Sequence, residues 1–206
     1  MAVEAPPDDT PVDGRAARSV RTRAAVVDAL LTLLEQGELR PTVGRIAEQA
    51  GISARSVYVH FDDLDDLFAA AARRQAERFG SLVESVADDA PLDERVDAFV
   101  RSRTRVLEAI APVRRAALLH EPFLPALARL LDGARRHERR EVEHAFAPEL
   151  APVTGGARRR VCAALDVATG WPAWETLRTH HGMSQAVARR TMTETVHAIL
   201  ETRRSR

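Results

Sequence analysis

Apolar residues recur along this chain at steps of three and four from residue 19 to about residue 200, with none of the strict alternation that marks a strand. Between residues 19 and 36, Val20, Ala24, Val27, Leu31 and Leu34 form one stripe of an amphipathic helix, and Gly37 follows as a C-terminal stop. A short helix over 42–49 turns Val43, Ile46 and Ala47 inward and breaks at Gly51. Ser53 is placed to cap a third helix ending near His60. Asp62 or Asp63 is placed to cap a fourth, with Leu64, Leu67, Phe68, Ala71, Gln75, Phe79 and Leu82 on one face. The pattern then predicts helices over 92–110, from Pro112 to about His120, and from Pro122 or Pro125 to about Phe146. The centre of the last, 135–141, is nearly all charged and is expected to project into water. Residues 148–156 read as a loop. Two final helices, about 157–180 and 184–203, are separated by Gly182, the first kinked by Pro172. The connections are short, as between antiparallel neighbours. The fold class is all-α.

Composition narrows the setting. The chain of 206 residues is long enough to bury a core without disulfides or metals, and its one cysteine, Cys162, has no internal partner to bridge. No apolar run reaches the length of a membrane span. The first 14 residues carry three prolines and four acids with no base, unlike a secretory signal, and read as a disordered tail. A soluble, cytoplasmic protein is expected. Net charge is zero, but residues 15–61 hold seven arginines against four acids. Every basic residue is arginine, a bias that a GC-rich genome explains better than function does.

That local positive excess coincides with the most informative stretch, residues 42–61. Two helices crossing at a steep angle through a tight turn need a small residue at the crossing and a glycine in the turn. Ala47 and Gly51 stand at these two places, while Ile46, Ala50, Ile52 and Val57 are apolar where they meet the first helix. The third helix then carries Ala54, Arg55, Ser56, Tyr58 and His60 outward. A recognition helix reads base edges mainly through its N-terminal residues. Each element is weak alone; the joint arrangement is that of a helix-turn-helix.

The chain also resembles the TetR-type (TetR/AcrR) transcriptional regulators. The resemblance lies in Thr22-Arg23 before an apolar helix, Thr42 with Ile46-Ala47, the run Ala50-Gly51-Ile52-Ser53, and Tyr58 to Phe61 followed by Leu67. A looser likeness covers Trp171 to Trp174, Leu177-Arg178 and Gly182 to Ser184. It implies about nine helices. A three-helix DNA-binding head over 15–62 follows the 1–14 tail. A linking helix joins it to a helical effector-binding and dimerisation body over 63–206, whose last two helices pair the protomers. It further implies that Thr42 and Tyr58 contact phosphate, and that Ala54, Arg55, Ser56 and His60 face the groove. Arg55, whose fork suits guanine, is the first candidate for base readout. Arg23 and Ser53 complete the candidate DNA-binding set, with Arg15, Arg18 and Arg21 near the backbone or minor groove. In one respect the sequence departs from the family. Leu64 replaces the lysine common three residues after the aromatic that ends the third helix, and Asp62, Asp63, Asp65 and Asp66 surround it. Four acids so close to phosphate would weaken DNA binding.

For the body the resemblance implies a small-molecule pocket, with Arg103, His120, Phe123, Asp166, Thr169 and Trp171 as candidates to line it. The residues themselves leave room for other readings. Arg103 falls on an apolar stripe and needs a partner or an acidic ligand. His120 reads first as a satisfied core histidine, and Trp171 and Trp174 first as packing or dimer contacts. No enzyme is expected: Cys162 has no histidine at helical spacing, His180-His181 point to different faces, and no phosphate-binding glycine loop occurs. No cofactor or metal is expected. The function read from the sequence is a ligand-responsive repressor binding a palindromic operator as a homodimer. The alternative is a helical interaction or scaffold protein with weakened or lost operator binding.

Overall fold

The computed structural model describes residues 11–80 and 90–204. No strand occurs among them, and the expected all-α class holds. The helices are α1 Pro11–Glu35, α2 Val43–Ala50, α3 Ala54–His60, α4 Leu64–Gly80, α5 Leu92–His120, α6 Pro125–Ala145, α7 Ala147–Leu150, α8 Gly155–Thr169, α9 Trp171–Glu175 and α10 Gln185–Arg204. A 3₁₀ turn, Glu121–Phe123, joins α5 to α6, and a π-helical turn, Thr176–His180, continues α9.

Two cores organise the molecule. The first gathers Leu30, Leu33 and Leu34 of α1, Ile46 of α2, Val57 of α3, Phe61 and Leu67, and extends to Val113 and Ala116 of α5 and Leu127 of α6. The second, in the body, collects Val96, Val100 and Leu107 of α5, Val142 and Phe146, Leu165 of α8, both tryptophans, and Met192, Val196 and Leu200 of α10. Helix α5 serves both cores and so ties head to body.

Several element boundaries differ from the sequence reading. Helix α1 begins at Pro11, well before residue 19, so the acidic tail expected over 1–14 is helical from 11; residues 1–10 lie outside the described residues, as does Leu82. Val20 is exposed rather than on the core stripe, which starts at Val26 and Val27. The helices expected over 92–110 and from Pro112 are one continuous α5. Pro112 removes a backbone donor, yet the helix continues through it, with Ala111 buried in one core and Val113 in the other. The loop expected over 148–156 contains the single turn of α7. The break in the penultimate helix falls at Gly170, with Pro172 in the first turn of α9, where a missing N–H is harmless. A side chain at Gly170 would place its Cβ 2.9 Å from the Asp166 carbonyl oxygen.

Candidate nucleic-acid interface and effector body

The crossing of α2 and α3 is set by local chemistry. Thr42 caps α2, its hydroxyl accepting from the Arg45 N–H at 3.2 Å. Gly51 ends that helix at φ +68°, a conformation costly for any residue with a Cβ. Its N–H and that of Ile52 return to the carbonyls of Glu48 and Ala47. Ser53 then caps α3 by accepting from the Ser56 N–H at 3.2 Å, and the two serine hydroxyls are 2.9 Å apart. Ile46, Ala47 and Val57 are buried, whereas Ala50 and Ile52 pack at the margin of the core. What remains outward on α3 is Ala54, Arg55, Tyr58 and Val59, with Ser56 and His60 half-buried. No hydrogen bond or ion pair within the described residues engages the Arg55 guanidinium. Arg15, Arg18 and Arg21 are exposed along α1.

Arg23 is differently placed. Its guanidinium lies 4.0 Å from the centre of the Phe61 ring, donates to the His60 carbonyl, and reaches both oxygens of Asp66 at 3.1–3.2 Å. These contacts commit it to holding the end of α3 against α1, so the phosphate role expected of it competes with a structural one. Ser19 on α1 adds a contact to His60 Nδ1 at 3.5 Å.

The acidic cluster after α3 is largely spent inside the protein. Asp63 caps α4 by accepting from the Asp66 N–H at 2.9 Å. Asp66 pairs with Arg23 and lies 4.0 Å from Arg73. Asp65 accepts from the N–H groups of Ala126 and Leu127 at 2.8 and 3.0 Å, capping the start of α6. The repulsion of phosphate expected from four acids is correspondingly reduced, because three of the carboxylates face donors of the protein itself. The Asp63 cap was legible in the sequence; the roles of Asp65 and Asp66 were not, because their partners lie in elements far away along the chain.

Residues 26–71, which span the α2–α3 pair and its supports, match the family of bacterial regulatory proteins described as the tetR family. The match is confined to the head of the chain. Solved structures extend the likeness across the rest. A transcriptional regulator from Rhodococcus sp. RHA1 is 18% identical with a TM-score of 0.65, covering 89% of this chain and 96% of its own. A TetR transcription regulator from Haloarcula marismortui is 21% identical with a TM-score of 0.61, covering 87% of this chain and 98% of its own. The multidrug binding protein EbrR, solved in complex with imidazole, is 20% identical with a TM-score of 0.58, covering 84% and 93%. At these identities the likeness is one of fold. No curated protein matches the chain's sequence.

The head meets the body through α4. His120, expected to line a pocket, instead stacks on Phe68 with ring centroids 4.4 Å apart, and its Nε2–H donates to the Leu39 carbonyl at 3.2 Å. It is a joint between α5 and the α1–α2 connection. Phe123, also a pocket candidate, is 76% exposed on the turn before α6. Thr169 is buried, but its hydroxyl is used by its own helix, donating to the Leu165 carbonyl at 2.8 Å. Asp166 is half-buried on α8. Trp171 is packed in the body core beneath Arg115, whose guanidinium carbon is 5.9 Å from the ring centre. None of these five leaves a buried side-chain polar atom without a partner among the described residues.

Arg103 is the exception. It is buried, as its place on the apolar stripe predicts, and pairs with Glu141 at 3.2 Å while donating to the Glu138 carbonyl at 3.1 Å. The charged centre of α6 is thus not wholly in water. Arg135 forms a two-bond pair with Glu121 at 2.7 Å, and Glu138 and Glu141 turn toward α5, leaving Arg136, His137, Arg139 and Arg140 exposed. Arg114, three helical turns from Arg103, is buried too, its nearest carboxylate oxygen on Glu138 at 3.9 Å. Burial pushes its guanidinium below the usual arginine range, and Glu138 offsets this only in part. Arg114 was not singled out by sequence, although its spacing of seven from buried Leu107 puts it on the inward stripe. At the α5–α9 seam, Arg178 holds the Glu108 carboxyl below the ordinary glutamate value, and Arg115 does the same for Glu175. Cys162 is held in its thiol form by burial, the opposite of an activated nucleophile. Among the described residues no group of His, Cys, Asp and Glu suited to a metal occurs, and no helix is long and apolar enough to cross a membrane.

Proposed function

We propose that this protein is a ligand-responsive transcriptional repressor of the cytosol that binds a palindromic operator as a homodimer. The observation that carries the reading is α3 itself, a capped helix whose outward side chains, Arg55 foremost, are not used by the fold. Arg55 reads a base edge, Thr42, Ser53 and Tyr58 meet phosphate, Ala54 and Ser56 approach the groove floor, and Arg23 with His60 holds the helix in place. The internal use of Asp63, Asp65 and Asp66 removes the main motive for the alternative of a scaffold that has lost operator binding.

Dimerisation is supported by the outward faces of α8 and α10. Ala163, Ala164 and Val167 form an exposed small apolar strip on α8, and Val187 is exposed on α10. A twofold pairing there sets two copies of α3 against half-sites about 34–36 Å apart, or a multiple of that spacing. Responsiveness to a small molecule is supported by the relation in fold to EbrR, which binds drugs and was solved with imidazole.

Titrating the full-length protein against its own upstream DNA over a salt series tests this reading. Sequence-preferring binding that weakens steeply with salt is expected. Arg55→Ala is expected to relax discrimination at one base position at a cost of about 1–3 kcal/mol. Absence of binding even at low salt would overturn the reading.

A further inference from the structure

Among the described residues of the head, Val59 is the most exposed large apolar side chain, at 73%. It belongs to neither core. Valine is also a poor helix former where packing does not reward it, because its branched Cβ loses rotamer freedom. Helix α3 has only seven residues over which to absorb that cost. A single apolar residue on a surface calls for no explanation by itself; the place of this one does.

Successive residues of an α-helix turn by about 100°. Val57, the buried residue of α3, stands two positions after Arg55 and two before Val59. Both therefore point about 160° away from the core side. Being four apart, they are also neighbours on one face. Tyr58 lies beside them, more than half exposed. Arg55 is the guanidinium that the fold leaves unused, so Val59 continues the face that carries it. The whole of α3 is about 10 Å long, less than the roughly 12 Å width of the major groove. When Arg55 reaches a base edge, Val59 is still inside the groove. It stands about 6 Å further along the helix, close to two base steps.

We infer that Val59 is a specificity residue of the operator complex, packing its methyl groups on the C5-methyl of a thymine. The inference rests on the operator-binding reading above and adds a base to it. Valine has no side-chain donor or acceptor, so the polar edges of guanine, adenine and cytosine offer it nothing. Beside a phosphate it would displace water from a charged oxygen and return no bond. The thymine methyl is the apolar group that base pairs display in the major groove. Contact between the two removes both from water. Arg55 and Val59 then recognise unlike features on one face. The first takes the two acceptors of a guanine by charge-assisted hydrogen bonds, and the second takes a methyl group by shape and desolvation.

Selection from a pool of randomised duplexes by the full-length protein supplies the preferred half-site. Each thymine of that duplex is then replaced in turn by deoxyuridine, which removes the methyl group and nothing else. The expected result is that one such replacement per half-site weakens binding about fourfold, the worth of one buried methyl group. With Val59→Ala the same replacement costs nothing further. At that position 5-methylcytosine binds the wild-type protein more tightly than cytosine does. Alanine is the better helix former at an exposed site, so unchanged helix content and an undiminished thermal midpoint show that the variant is folded. A preferred half-site without thymine, deoxyuridine tolerated at every position, or a penalty as large in Val59→Ala as in the wild type would each overturn the inference. The two readings fail separately. Selection that enriches no sequence sinks operator binding itself, and this inference with it. Enrichment of a half-site whose thymine methyl groups are indifferent to Val59 sinks the inference alone.

Discussion

Two glycines show how differently one residue type is used. Gly51 is needed for its backbone angle, which a Cβ would strain. Gly170 has an ordinary φ of −83°, yet a Cβ there would press on the Asp166 carbonyl at 2.9 Å. Gly170→Ala is expected to destabilise the protein by about 1–3 kcal/mol through overpacking, read as a lowered midpoint in urea at unchanged slope. The turn role of Gly51 was legible from sequence, since helix, glycine and capping serine follow one another within a few residues. The role of Gly170 was not, because the sequence shows a proline two residues later and gives no sign of which carbonyl crowds the turn. The same limit explains His120 and Phe123. An apolar neighbourhood in sequence does not say whether a ring points at a cavity, a neighbouring helix or water.

Elements were more legible than residues wherever spacing alone decides. The short α2 and α3, their caps and the long α4 follow from steps of three and four and from Thr42, Ser53 and Asp63. Helix α5 was misread at Pro112 because local propensity cannot see two cores gripping the helix on either side of it. The seam of α5 against α9 was invisible for the same reason: Glu108 meets Arg178 and the Trp174 indole N–H 66 to 70 residues away. This seam makes stability depend on pH. Glu108, Glu121 and Glu175 all have carboxyls held below the ordinary glutamate value, by Arg178, Arg135 and Arg115 in turn. A depressed folded value means that the stabilisation is fully present above the unfolded value. It is lost as pH falls through the folded one. The thermal midpoint is therefore expected to fall as pH drops below the ordinary glutamate range. Glu108→Gln is expected to lower the midpoint at neutral pH and to matter little in acid. An equal loss at both pH values would show that packing, and not charge, holds the seam.

At the scale of the whole molecule, the apolar strip on α8 invites a partner that only a second copy supplies in the proposed dimer. Val167→Arg is expected to shift the protein toward monomer in sedimentation, and with it to weaken operator binding without disturbing helix content. The all-helical architecture and the head were readable in the sequence. The pairing of Arg103 with Glu141 and of Arg114 with Glu138 was not, because it depends on how α5 and α6 dock, which no local pattern encodes. Asp65 carries a further consequence. Its carboxylate, set just after α3 in sequence, grips the first turn of α6 instead and fastens α4 to the body. With Asp65→Asn that grip loosens, and a signal raised in the body has a slack string to pull. On the proposed reading as a ligand-responsive repressor, a reporter gene under such a variant is expected to stay silent whether or not inducer is present, while the purified variant still takes up both operator and inducer. Such a phenotype would mark a single carboxylate as the difference between a repressor that listens and one that only holds on.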